Sequence, residues 1–179
     1  MSLSGAVARV VEVYLGLGSN RQRYTHLARA LDELSERFGK LGLSRVFESE
    51  SVGFQGSLFL NMVVSLTTDL SVAALAETLR AIEYRHGRQP NAPKYGPRTL
   101  DIDLLLYGDA TGVIDGVELP RGEVLTNAFV LWPLSELAPN LVHPVAQRSY
   151  QQLWRHYPGQ QVLQPVPFRW RDQHISTSD

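Results

Sequence analysis

The feature that most constrains this chain is a change of period at Gly16-Leu17-Gly18-Ser19-Asn20. Before it, Val10 to Leu17 is rich in Val, Tyr and Leu and reads as a strand running into a turn. After it, Leu27, Leu31, Leu34 and Phe38 fall at helical spacing, with Ser19 or Asn20 as the expected cap and Gly39 as the stop. Leu41 to Ser49 and Leu58 to Thr68 then read as two strands of a hairpin, joined through a loop that contains Gly53 and Gly56. Helical spacing returns at Val72, Leu75, Leu79 and Ile82, in a helix that starts at Ser71 and stops near Gly87. Last comes Leu100 to Tyr107, where Leu100, Ile102 and Leu104 alternate with Asp101 and Asp103 in the period-2 pattern of a strand.

The order βαββαβ predicts an α+β fold with a mostly antiparallel sheet covered by helices on one face. Beyond it, Phe129-Val130-Leu131-Trp132-Pro133-Leu134 reads as a further short strand and helix, and Tyr150 to Tyr157 as a last helix. Gln160 to Asp179 carries no assignable pattern, and its Phe168-Arg169-Trp170-Arg171 either packs on the fold or hangs free. With 179 residues, 44% of them apolar and 20% charged, the chain is expected to form one globular domain with a buried core.

Charge and cysteine content narrow the function. A formal net charge of −1 provides no global basic field for nucleic acid or a membrane surface, so any anion site must be local. No cysteine is present, which removes thiol catalysis, disulfides and thiolate metal sites and fits a reducing cytoplasm. Arg9 and Glu12 interrupt the mildly apolar start and no cationic segment precedes it, so neither a secretory leader nor a membrane span is expected.

The chemistry concentrates at Asp101-Ile102-Asp103. Two carboxylates two residues apart on a strand point to one side and share a hard cation such as Mg²⁺, with phosphate oxygens completing its shell. Read alone, the pair equally suits acids that close a strand end or meet arginines. Its surroundings add Arg85, His86, Arg88, Lys94 and Arg98, with no Asp or Glu anywhere in residues 84 to 100. A Pro- and Gly-containing cationic loop beside an acid pair has phosphate as its common partner. Its plainer reading is a solvated basic loop. The Gly16 to Asn20 stretch lacks the third glycine of a dinucleotide loop and the Gly-Lys-Ser/Thr of a P-loop, so by itself it is a turn and a cap.

Taken together, Leu15-Gly16-Leu17-Gly18-Ser19-Asn20, Phe59-Leu60-Asn61, Gly87-Arg88, Gly96-Pro97-Arg98-Thr99-Leu100-Asp101-Ile102-Asp103-Leu104 and Phe129-Val130-Leu131-Trp132-Pro133-Leu134 resemble the 6-hydroxymethyl-7,8-dihydropterin pyrophosphokinase family. The resemblance implies a ferredoxin-like core that binds Mg-ATP and a pterin and passes diphosphate to the pterin hydroxymethyl group, releasing AMP in folate biosynthesis. It implies that Asp101 and Asp103 hold two Mg²⁺ ions and that Arg88 and Arg98 orient the phosphates. Phe59 and Phe129 would sandwich the pterin, Asn61 would bond its polar edge, and backbone around Ser49 to Gly53 would add contacts. Tyr95 would serve as an aromatic lid and Glu83 would stand near the nucleotide.

The family usually has Pro-His-Pro or Pro-His-Tyr where this chain reads Pro120-Arg121-Gly122, and an arginine where it has Asn127. Arg121 is therefore expected to bind ATP and offset the charge missing at Asn127. Two other readings compete. One is a relative that binds a pterin but transfers little, or uses another pterin or phosphate donor. The other is an RNA-binding module of the same element order, disfavoured by the acidic pI near 6.5 and the lack of aromatic strand motifs.

Overall fold

The computed structural model describes residues 9–49, 58–87 and 99–179. Gly53, Arg88, Lys94, Tyr95 and Arg98 lie outside the described residues. In chain order the elements are β1 (Val11–Ser19), α1 (Arg23–Phe38), β2 (Gly42–Leu43), β3 (Val46–Ser49), β4 (Phe59–Thr68), α2 (Val72–Arg85) and β5 (Asp101–Tyr107). They continue with β6 (Gly112–Ile114), β7 (Val117–Leu119), α3 (Glu123–Thr126), α4 (Ala128–Leu137), α5 (Tyr150–Arg155), β8 (Leu163–Val166), β9 (Phe168–Trp170) and β10 (Gln173–Ser176).

The main sheet runs β5-β1-β4-β3-β8, with β2 also paired to β4. Its pairings are antiparallel. Strand alternation divides the side chains of β1 between two cores. Val13, Leu15 and Leu17 face α1 and α2, where they meet Leu27, Leu31, Leu34, Leu75, Leu79 and Ile82. Each such buried leucine contributes about 2 kcal/mol by removal from water. Tyr14 faces the other way and joins Val63, Leu105, Leu106, Val130, Leu131, Leu134 and Tyr150. Helices therefore occupy both faces of the sheet, whereas the βαββαβ order accounts only for α1 and α2.

A bulge serves that second core. Leu15 pairs with Leu104 while Tyr14 pairs with Leu106, leaving Leu105 as the extra residue. Leu105 and Leu106 both contribute to the cluster with α4.

Several expectations are corrected. The cap of α1 is neither Ser19 nor Asn20 but Gln22, which has φ 42 and makes no side-chain cap bond. The Ser19 hydroxyl is engaged elsewhere, donating to the carbonyls of Thr99 and Arg21. Gly39 does end the helix, at φ 85, where a left-handed backbone favours glycine. Ser71 caps α2 by accepting from the Ala74 N–H. The segment from Leu41 to Ser49 forms the separate strands β2 and β3. Phe129 to Leu134 is helical throughout, as part of α4, with Pro133 inside the helix.

The tail packs on the fold. β8 adds to the outer edge of β3, from Val46 opposite Val166 to Ser49 opposite Leu163. The β9–β10 hairpin then lies on α1, where Trp170 Nε1 donates to Asp32 at 3.0 Å and the Tyr24 and Phe168 rings stack at 5.5 Å. Arg45 donates to the carbonyls of Thr177 and Asp179 and pairs with Glu136.

Candidate active site

The site is built on one row of the sheet. Gly18 of β1 stands opposite Asn61 of β4 and opposite Asp101 of β5, and Asn61 in turn faces Phe47 of β3. Residues directly opposite in a ladder share a face, so Asp101, Asn61 and Phe47 project to the α4 side with only Gly18 between the acid and the amide. The neighbouring row places Asp103 opposite Gly16 and Gly16 opposite Val63. The two glycines thus form a floor without side chains. A Cβ added to Gly18 would sit 3.0 Å from Asn61 Oδ1.

On one side of that floor is a polar and aromatic group. The Asn61 Nδ2 donates to Ser49 Oγ at 2.8 Å, and both residues are buried. Phe59 stands opposite Ser49 and, two residues from Asn61, shares its face. Phe129 lies in the first turn of α4 against the second core. Among the described residues no ring contact joins it to Phe59.

On the other side a cleft of about 430 Å³ follows the outer edge of β5. Asp101, Asp103, Glu83, Arg80 and Arg121 bring charge to it, while Ala76, Leu79, Leu104 and Val117 give it an apolar wall. Glu83 is buried, and its Oε2 accepts the Ile102 N–H at 2.8 Å, which fixes the strand between the two aspartates. The start of that strand is also tied down, because Ser19 bonds the carbonyl of Thr99.

Among the described residues the cleft gathers three carboxylates and two guanidinium groups. Burial raises the Asp103 carboxyl far above the usual carboxylate range, and Asp101 pushes it further in the same direction, with Glu123 and Glu83 adding smaller amounts. Arg121 opposes them, with its Nη2 3.6 Å from Asp103 Oδ1. Two carboxylates on one face of a strand fit a divalent cation whose remaining ligands are phosphate oxygens and water. No group of three or more His, Asp or Glu side chains able to hold a metal occurs among the described residues.

Arg85 and His86, expected beside the acids, turn to α1 instead. Arg85 Nε donates to Glu33 at 2.8 Å, His86 Nε2 meets Glu33 at 2.7 Å, and the Nδ1 atoms of His26 and His86 lie 2.8 Å apart. Their place in the helical turn directs them between the helices. The residue that sequence reasoning missed is Arg80, which lines the cleft from α2 and is indistinguishable in sequence from any solvated helix cation.

With this geometry in hand, a sequence model of the family described as 7,8-dihydro-6-hydroxymethylpterin-pyrophosphokinase matches residues 14–139. This chain belongs to that family. A 2-amino-4-hydroxy-6-hydroxymethyldihydropteridine pyrophosphokinase of Aquifex aeolicus is 34% identical over 156 residues, spanning 86% of this chain and 94% of that protein. The enzyme of the same name from Porphyromonas gingivalis is 41% identical over 140 residues, spanning 75% of this chain and 95% of that protein. Among solved structures, a Plasmodium falciparum HPPK-DHPS with pterin and p-hydroxybenzoate matches at TM-score 0.74 and 13% identity, over 96% of this chain and 50% of that one. The chain spans about half the length of such solved structures, and at that identity they attest to the pyrophosphokinase fold alone.

Proposed function

We propose that the β5 cleft receives ATP, that the surface beyond Gly18 receives the pterin, and that the Asp101–Asp103 pair lies at their junction. The chain is an ATP-dependent pyrophosphokinase of the folate route. It joins the hydroxymethyl oxygen of 6-hydroxymethyl-7,8-dihydropterin to the β-phosphorus of ATP. The bond from that phosphorus to the α,β-bridging oxygen breaks, AMP leaves with the oxygen, and the hydroxyl proton passes to solvent. The observation that carries the residue assignment is the row Asp101, Gly18, Asn61, in which phosphate-handling and heterocycle-handling groups flank one bare position.

Asn61, oriented by Ser49, presents its amide to the polar edge of the pterin. Phe59 and Phe129 supply ring faces, for which stacking on a flat heterocycle is the favoured geometry. Asp101 and Asp103 hold Mg²⁺, two ions by family precedent, which when bound neutralises phosphate charge and polarises the reacting oxygens. Arg121 faces the phosphates from the far side of Asp103, and the apolar wall of Ala76, Leu104 and Val117 suits the nucleotide base. Arg88, Arg98, Tyr95 and Gly53 complete the assignment as phosphate donors, lid and pterin contact from segments outside the described residues. Catalysis of this kind is mostly positioning and electrostatics.

No helix among the described residues is long and apolar enough to cross a membrane, and the cysteine-free composition supports a cytoplasmic location. The deciding experiment measures AMP release from Mg-ATP with 6-hydroxymethyl-7,8-dihydropterin for the parent chain, Asp101→Ala and Asp103→Ala. Pterin-dependent, stoichiometric AMP that either substitution abolishes is expected. Transfer that survives both would overturn the assignment of the acid pair.

A further inference from the structure

Arg121 does not approach Asp103 unaided. Its Nε donates to Glu123 Oε1 at 2.9 Å, while Glu123 Oε2 accepts from Asn127 Nδ2 at 3.0 Å. The Asn127 Oδ1 accepts in turn from Gln161 Nε2 at 3.4 Å, and Gln161 Oε1 accepts the Ala128 N–H at the start of α4. Tyr157 braces the same place, its hydroxyl donating to the Thr126 carbonyl at 2.7 Å. The Arg121 backbone is fixed separately, its N–H donating to the Leu105 carbonyl of β5 at 2.9 Å.

A guanidinium has a forked set of donors on a flexible stem, and its usefulness for a phosphate depends on which donors are already committed. Here Glu123 takes Nε and so turns the Nη groups toward the acid pair. Its other oxygen accepts from Asn127, which restrains rotation of the carboxylate about its stem. Asn127 and Gln161 hold it, and neither brings any charge. Asn127 precedes α4 without making a side-chain cap bond, so its amide is committed to Glu123 and Gln161. Gln161 belongs to the segment between α5 and β8, which joins the sheet at the edge opposite β5.

We infer that Gln161, Asn127 and Glu123 form a positioning relay that aims Arg121 at the nucleotide phosphates beside Asp103, so the segment after α5 takes part in ATP binding without touching ATP. The inference rests on ATP occupying the β5 cleft. None of the three is a catalytic residue. Their action passes wholly through Arg121, and hydrogen-bonded chains of this kind give couplings that single deletions misstate.

The test is a double-mutant cycle read by titration calorimetry with Mg-ATP, which requires no turnover. Arg121→Ala is expected to weaken binding by ~10-fold or more, the scale of a hydrogen bond to a charged group. Asn127→Ala is expected to weaken it by roughly fivefold in the parent and by nothing further in the Arg121→Ala background. Gln161→Glu keeps the acceptor for Ala128 but loses the donor to Asn127, and should reproduce part of the Asn127→Ala effect. Thermal melts within a few degrees of the parent would exclude misfolding as the cause. An Asn127→Ala effect of equal size with and without Arg121, or none in the parent, would overturn the relay. Failed AMP release by a parent that still binds Mg-ATP would count against the transfer reaction and leave this cycle to be judged on its own result.

Discussion

Asp101 and Asn61 stand on the same sheet face, each directly opposite Gly18. Gly18, which has no side chain, is the residue of β1 that lies between the acid and the amide. The Gly18→Ala variant would set a methyl 3.0 Å from Asn61 Oδ1, and the amide would have to shift by a few tenths of an ångström. Because the backbone needs no left-handed conformation there, the fold should persist. The pterin KM should rise roughly tenfold while the ATP KM changes less than about twofold, since small misplacements of a positioning group are expensive. Equal changes in both would mean that Gly18 serves the sheet and not the pterin.

Asp103→Asn should abolish transfer yet stabilise the metal-free protein. The native carboxyl is raised by burial and by Asp101, so the folded state favours the protonated form. An unfolded chain ionises that group near pH ~4, and the native state is therefore penalised increasingly as pH rises beyond that value. Melting at neutral pH without divalent ions should show a gain of a few degrees for the variant, and Mg²⁺ should raise the parent Tm but not the variant's. A variant less stable than the parent at that pH would contradict the electrostatic account.

His143 should make stability fall on the acid side of neutrality. It is buried, its Nδ1 accepts from the Val145 and Ala146 N–H groups at 3.1 and 3.0 Å, and burial lowers its pKa. The unfolded imidazole takes up a proton near pH ~6.5, so the stabilisation is complete above that value and is lost as pH falls below it. His143→Asn preserves an acceptor that does not titrate. Its Tm should be flatter than the parent's between about pH 7 and 5, and parallel curves would assign the acid loss to other groups.

Ser176 joins the tail to the sheet. It is buried, its Oγ accepts the Val46 N–H at 2.8 Å, and its hydroxyl donates to the Val166 carbonyl at 2.6 Å. Ser176→Ala strands a buried N–H and should cost about 1–3 kcal/mol in urea unfolding. Faster hydrogen exchange at Val46 should accompany the loss. An unchanged transition midpoint would mean that water replaces the hydroxyl.

What the sequence disclosed and what it hid divides along the range of the interactions. The alternation in Leu100 to Tyr107 and the β-branched and aromatic content of Leu58 to Thr68 are local, and they placed the acid pair, Asn61 and Phe59 on the elements where the structure has them. The helix α4 was ambiguous because it is buried between the sheet and α5 and is apolar all round, so no stripe marks its period, and Pro133 argues against a helix. The strands after Gln160 take their form from the free edge of β3 and from Asp32 of α1, partners far away in sequence. The aim of Arg121 was hidden for the same reason. Its charge was readable and its acceptor Glu123 is a sequence neighbour, but Gln161, which holds Asn127 against Glu123, reaches the group only through the fold.

Both margins of the main sheet are occupied, with a consequence for behaviour at high concentration. On β5, the Ile102 N–H is taken by Glu83 and the Leu105 carbonyl by the Arg121 backbone. At the other margin the last strand contains Pro165, which offers no N–H, and its Val166 carbonyl is taken by Ser176. A second molecule extending either margin would therefore meet groups already engaged at Ile102, Leu105 and Val166 and a missing donor at Pro165, which disfavours edge-to-edge polymerisation.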